Sequence, residues 1–127
     1  MLKIGIKGRQ EITVCENNSA KTLGSGTLDV FATPAMIALM EKTAWMSVSE
    51  FLPEGDGTVG ISLDIKHIAA TPLGMKVYCE SELVEIDERK LKFELKAYDE
   101  KGLIGEGMHE RFIINNRKFQ EKTDSKK

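Results

Sequence analysis

Residues 33–52, TPAMIALMEKTAWMSVSEFL, are the one stretch of this chain that reads as a long helix, and its fold follows from what surrounds them. Pro34 stands at a first helical position, where its missing N–H costs nothing, and the Thr33 hydroxyl can cap the free amides of that turn. Pro53 and Gly55 stop the helix at about Leu52. At about 100° per residue, Ile37, Met40, Ala44, Trp45, Val48, Phe51 and Leu52 share one apolar arc, while Lys42, Thr43, Ser49 and Glu50 lie outside it. Glu41 falls near the middle of that arc. A carboxylate buried there must be paired, hydrogen-bonded or protonated.

On the C-terminal side the period changes to two. Val59, Ile61, Leu63 and Ile65 alternate with Gly60, Ser62, Asp64 and Lys66, a strand that extends to about Ala69. Thr71-Pro72-Leu73-Gly74 is a turn, and Val77, Cys79, Ser81 and Leu83 then face away from Lys76, Tyr78, Glu80 and Glu82. Leu91, Phe93, Leu95 and Ala97 give the clearest amphipathic strand, and a last one runs from about Leu103 to Ile114. On the N-terminal side, Gln10 to Val14 suggests a strand and Glu16 to Asp29 a polar loop. The order predicts an α+β domain over residues 1–116, with one long helix covering an antiparallel sheet of about five strands. The polar tail, residues 117–127, is expected to be frayed or disordered.

Composition narrows the function. A net charge of -2 lacks the basic field that nucleic acid requires, so no nucleic-acid partner is expected. No apolar run reaches the roughly 20 residues of a membrane span, and no signal peptide precedes Lys3, Lys7 and Arg9. Cys15 and Cys79 stand in no metal-binding or redox spacing, which predicts reduced thiols, a cytoplasmic location and no metal.

Each candidate residue also has a structural reading. Glu41 could join a structural ion pair, and Thr33 is explained by capping alone. Counting by two from Ile65, His67 shares an apolar strand face, where a histidine is more often a satisfied core residue than a catalyst. His109, between Met108 and Glu110, reads as structural and stays a secondary candidate. Thr33 and Glu41 lie about 12 Å apart along a helix axis, so spacing alone does not join them in one site.

Taken together, Phe31-Ala32-Thr33-Pro34, Glu41, the strand from Gly60 to His67, Ala70-Thr71-Pro72-Leu73-Gly74 and Gly107-Met108-His109-Glu110-Arg111 resemble the fluoroacetyl-CoA thioesterase type of hotdog protein. The resemblance spans roughly residues 10–115. It implies a helix wrapped by a curved sheet, a homodimer with the sheets joined side by side, and active sites at the dimer interface. Thr33, Glu41 and His67 match the family's catalytic residues, and Gly60 and Arg111 match residues that support the site. The helix groups and the histidine are expected from different protomers, and pairing of dimers into tetramers is left open. The implied reaction is hydrolysis of an acyl-CoA thioester, with coenzyme A as part of the substrate and no separate cofactor. Glu41 would attack directly or activate water, and amides at the start of the helix would hold the oxyanion. The family's aromatic lid has no counterpart in Gly24-Ser25-Gly26-Thr27-Leu28-Asp29, which points to a broader or different short-chain acyl-CoA substrate. The rivals are a non-catalytic hotdog module that binds an acyl-CoA or other small ligand, a hydratase on the same fold, and a structural dimer in which Glu41 pairs with His67.

Overall fold

The computed structural model describes residues 1–127. Strand β1 (Lys7–Thr13) leads through a 3-10 turn (Glu16–Asn18) and a one-turn helix α1 (Ala20–Leu23) into the long helix α2 (Thr33–Ser49). Then come β2 (Asp56–His67), β3 (Lys76–Asp87), β4 (Lys90–Asp99), β5 (Gly102–Asn115) and a C-terminal helix α3 (Asn116–Asp124). The five strands form one antiparallel sheet in the order β1-β3-β4-β5-β2, so β1 and β2 are its edges. This is the expected α+β architecture of one helix packed across one sheet.

The core lies between α2 and the sheet. Met36, Leu39, Met40, Ala44 and Val48 of α2 pack with Val77, Cys79 and Leu83 of β3, Leu91, Phe93, Leu95 and Ala97 of β4, and Ile104 of β5. The alternation read for β3 and β4 is therefore the buried alternation of the sheet. For α2 the expected arc is rotated: Met36, Leu39 and Thr43 face the core, whereas Ile37 is half-buried and Trp45 is 42% exposed. Thr43 tolerates burial because its hydroxyl donates to the Leu39 carbonyl one turn back (2.7 Å). The helix also ends at Ser49, three residues early.

Two other expectations are corrected. The segment from Glu16 to Asp29 contains a 3-10 turn and α1, whose start is capped by the Ser19 hydroxyl accepting from the Thr22 amide and whose end is closed by Gly24 in the left-handed region. The polar tail is helical over Asn116–Asp124 because the Asn115 side chain accepts from the Lys118 amide and caps it; all of α3 is exposed.

Strand β2 carries the irregularity that matters most. Its register with β5 shifts between Gly60 and Ser62, leaving Ile61 as an extra residue. Gly60 pairs with Arg111, Leu63 with His109 and His67 with Gly105. The bulge breaks the even alternation, so Leu63, Ile65 and His67 share the face of Gly60 and Val59 does not. Beyond the bulge β2 is open on its outer side, with Ile61 50% and Leu63 43% exposed. Gly107 makes close pairing possible there, since a Cβ on it would collide with the Asp64 carbonyl.

Candidate active site

The predicted site residues separate into two clusters at opposite ends of β2. Thr33 and His67 form the first. The turn preceding α2 is held from both sides: Phe31 donates to the Thr71 carbonyl (2.8 Å), Ala32 donates to the Asn18 carbonyl (2.9 Å), and the Thr71 hydroxyl donates to Asp99 (2.8 Å). Ala32 is extended and Thr33 begins the helix just before Pro34. No side chain caps this helix, and the Thr33 hydroxyl instead lies 2.8 Å from His67 Nδ1. The capping reading of Thr33 is thereby corrected. For Thr33, the expectation that the helix groups and the histidine come from different protomers is corrected as well, since Thr33 and His67 meet within one chain.

Burial lowers the His67 pKa from its ordinary value, against the Ala69 backbone, which raises it, and the buried Nε2 has no hydrogen-bond partner. The ring is therefore neutral near pH 7, and in the tautomer that carries its proton on Nε2 the Nδ1 accepts from the Thr33 hydroxyl. The pair lies on the wall of a cavity of about 480 Å³ lined also by Ser25, Thr27, Leu28, Phe31 and Ile68. The first turn of α2 adds backbone amides that have no acceptor within the helix, beside a favourable dipole.

Glu41 belongs to the second cluster, two helical turns along α2. Its carboxylate lies 3.7 Å from the Arg111 guanidinium, which is 6% exposed. Arg111 donates from Nε to the Thr58 hydroxyl (2.8 Å) and from a terminal nitrogen to the Thr58 carbonyl (2.9 Å). Its other terminal nitrogen lies 3.1 Å from His109 Nε2. Since arginine only donates, His109 Nε2 accepts, and its protonated Nδ1 donates to the Ser62 carbonyl at 2.8 Å. His109 is fully buried and neutral, its pKa lowered first by burial and also by Arg111. Burial likewise lowers the Arg111 pKa, against the pull of Glu41. Gly60 leaves room for all of this, because a Cβ there would come within 2.9 Å of Glu41 Oε2 and 3.2 Å of the His109 ring.

The structure thus joins Thr33 to His67, and Glu41 to Arg111 over Gly60, and it adds His109, in the sequence reading only a secondary candidate, to the second cluster. The signal is its i, i+2 spacing to Arg111, which places both on one face of β5. Glu41 and His67 are not in contact within the chain, so the pair that a purely structural dimer would bury is absent from a single protomer. No cluster of His, Cys, Asp and Glu suited to a metal ion is present.

The chain matches the model of the fluoroacetyl-CoA-specific thioesterase family over residues 14–117. It is 37% identical over 98 residues to the fluoroacetyl-CoA thioesterase of Streptantibioticus cattleyicolor, an alignment covering 77% of this chain and 70% of that protein. A solved structure of the fluoroacetyl-CoA thioesterase superposes with a TM-score of 0.94 at 29% identity, covering 100% of this chain and 98% of that one. A thioesterase superfamily member from Thermus thermophilus superposes with a TM-score of 0.90 at 24% identity, covering 98% and 93%, and supports the fold alone. With the hotdog architecture and this match along most of its length, the chain belongs to the fluoroacetyl-CoA-specific thioesterase family.

Proposed function

We propose that this protein hydrolyses a small acyl-CoA thioester to the free acid and coenzyme A, and that it does so as a homodimer in the cytoplasm. The observation that carries the reading is the 2.8 Å contact between the Thr33 hydroxyl and a neutral His67, on the wall of a cavity of about 480 Å³. His67 draws on the Thr33 proton, the α2 amides receive the developing oxyanion, and a carboxylate attacks the carbonyl or activates water. The carboxylate is the group that the chain does not bring to its own Thr33.

A homodimer supplies it. If two copies of the open edge of β2 pair antiparallel about a two-fold axis, the start of one strand lies beside the end of the other. Glu41, over Gly60 near the start of β2, then approaches His67 of the partner subunit at the strand's end. Ile61, Leu63 and Trp45, each exposed in a single chain, supply apolar area for that contact. In this arrangement Arg111 holds the Glu41 carboxylate, and His109 and Thr58 hold Arg111.

The substrate is a short acyl ester without selectivity for fluorine. Leu28, 65% exposed, is the largest side chain that the 25–28 segment brings to the cavity, and Phe31 beside it is buried in the core rather than closing the mouth.

The test follows thiol release from acyl-CoA esters of increasing chain length for wild type, Glu41→Gln and His67→Ala, with folding checked for each. Wild type should cleave the short esters, and each folded variant should lose roughly 100-fold or more. A folded wild type that cleaves no ester would overturn the reading and favour a module that binds acyl-CoA without turning it over.

A further inference from the structure

The proposed reaction leaves the nucleotide end of coenzyme A without a seat, and most charged surfaces of this chain suit it poorly. The cavity beneath Glu80, Glu82 and Glu94 sets two lysines against three carboxylates, and the one at Asp64, Glu94 and Glu106 offers a single lysine. The cavity between α3, the end of β5 and the β3–β4 turn differs. About 270 Å³ in volume, it is lined by Arg89, Lys118, Lys122, Ile114, Asn115 and Phe119, with no carboxylate among them. None of its three cations forms an ion pair; the α3 ion pair is made instead by Arg117 with Glu121. Residues 117–127 carry five cations against two carboxylates in a chain whose net charge is -2. Phe119 stands 43% exposed among these cations, an aromatic face that burial does not explain.

We infer that this cavity binds the 3′-phosphorylated adenosine diphosphate end of coenzyme A, with Arg89, Lys118 and Lys122 on the phosphates and Phe119 against the adenine. The cations supply charge-assisted hydrogen bonds to phosphate oxygens, and the ring supplies a stacking surface for a base. Position supports the assignment, on the dimer reading given above. Twelve residues of β2, roughly 40 Å at about 3.3 Å each, separate α3 from the chain's own His67. Antiparallel pairing of the β2 edges puts α3 at the end of the sheet where the partner's Thr33 and His67 lie. Each active site then takes its Thr–His pair from one protomer, and its carboxylate and phosphate seat from the other.

The experiment is a calorimetric titration of wild type and the Lys118→Glu/Lys122→Glu variant with coenzyme A, 3′,5′-ADP and pantetheine, at two salt concentrations. Both lysines are on the exposed α3, so the variant keeps its core. Coenzyme A and 3′,5′-ADP should bind the variant at least about tenfold more weakly, and added salt should weaken wild type far more than the variant. Pantetheine, which lacks the nucleotide, should bind both alike. The inference is overturned if coenzyme A affinity stays within about twofold, since two charge-assisted contacts are worth more than that, or if pantetheine weakens as much. Sedimentation of the protein with phosphatidylglycerol vesicles through the same lysines, without 3′,5′-ADP binding, would assign the patch to a lipid surface and also overturn it. Because binding is measured without turnover, the phosphate seat is tested even in a protein that cleaves no thioester.

Discussion

His67 and His109 illustrate how burial sets the chemistry of one residue. Both have folded-state pKa values lowered first by desolvation, so folding favours their neutral forms. Protonation therefore favours the unfolded chain, in which both titrate near 6.5. Their contribution to stability is fully present above that value and is lost as pH falls through it toward the folded values. Each histidine adds a slope of at most about 1.4 kcal/mol per pH unit. Chemical denaturation at pH 7.5, 6.5 and 5.5 should show the decline, and His109→Gln should flatten it; an unchanged profile in that variant would show that His109 is not buried neutral. Sequence could not reveal this, because a histidine between Met108 and Glu110 looks alike whether it fills a core or steadies an arginine. Thr33 escapes sequence reading for a related reason: a Thr before Pro predicts a cap, and only the fold brings His67, 34 residues away, close enough to compete for the hydroxyl.

At the scale of elements, legibility tracks contrast. Strands β3 and β4 alternate charged and apolar residues, so their buried faces can be counted directly. Helix α2 is built from Ala, Met, Leu, Ile, Val and Trp on nearly all sides. It therefore has little amphipathic contrast, and the arc expected from sequence is rotated away from Met36, Leu39 and Thr43. The misfit itself is informative, since the apolar flank left over, with Trp45 beside Glu41, adjoins an open strand edge. The bulge at Ile61 is invisible for another reason: an unbroken Val-Gly-Ile-Ser-Leu alternation conceals a change of face. Placing charge on this edge tests its role. Ile61→Asp combined with Leu63→Asp should convert the protein to monomers in light scattering and abolish hydrolysis while far-ultraviolet circular dichroism is retained. Monomeric wild type, or an unaltered mass in the variant, would remove β2 as the pairing edge.

At the scale of the whole molecule, the fold is readable from sequence, but the grouping of the five candidate site residues is not. The family resemblance sets Thr33 and Glu41 together against a histidine of the other protomer; the structure gives the helix's first turn to one cluster and its middle to another. On the proposed dimer this division is directly testable. Glu41→Gln and His67→Ala are each expected to be inactive alone. Mixed, dissociated and reassociated in equal amounts, they should recover about a quarter of wild-type activity, because half of the dimers are hybrids and each hybrid rebuilds one of its two sites. Sites contained within single chains would recover nothing.

The open side of β2 has one further consequence. Its backbone amides and carbonyls face outward beside Ile61 and Leu63, unpaired within the chain. On the dimer reading, maturation ends with a collision between two molecules rather than a rearrangement within one. The time a chain spends incomplete then depends on how many others have already been made, and during that interval the same edge is open to any strand that reaches it first.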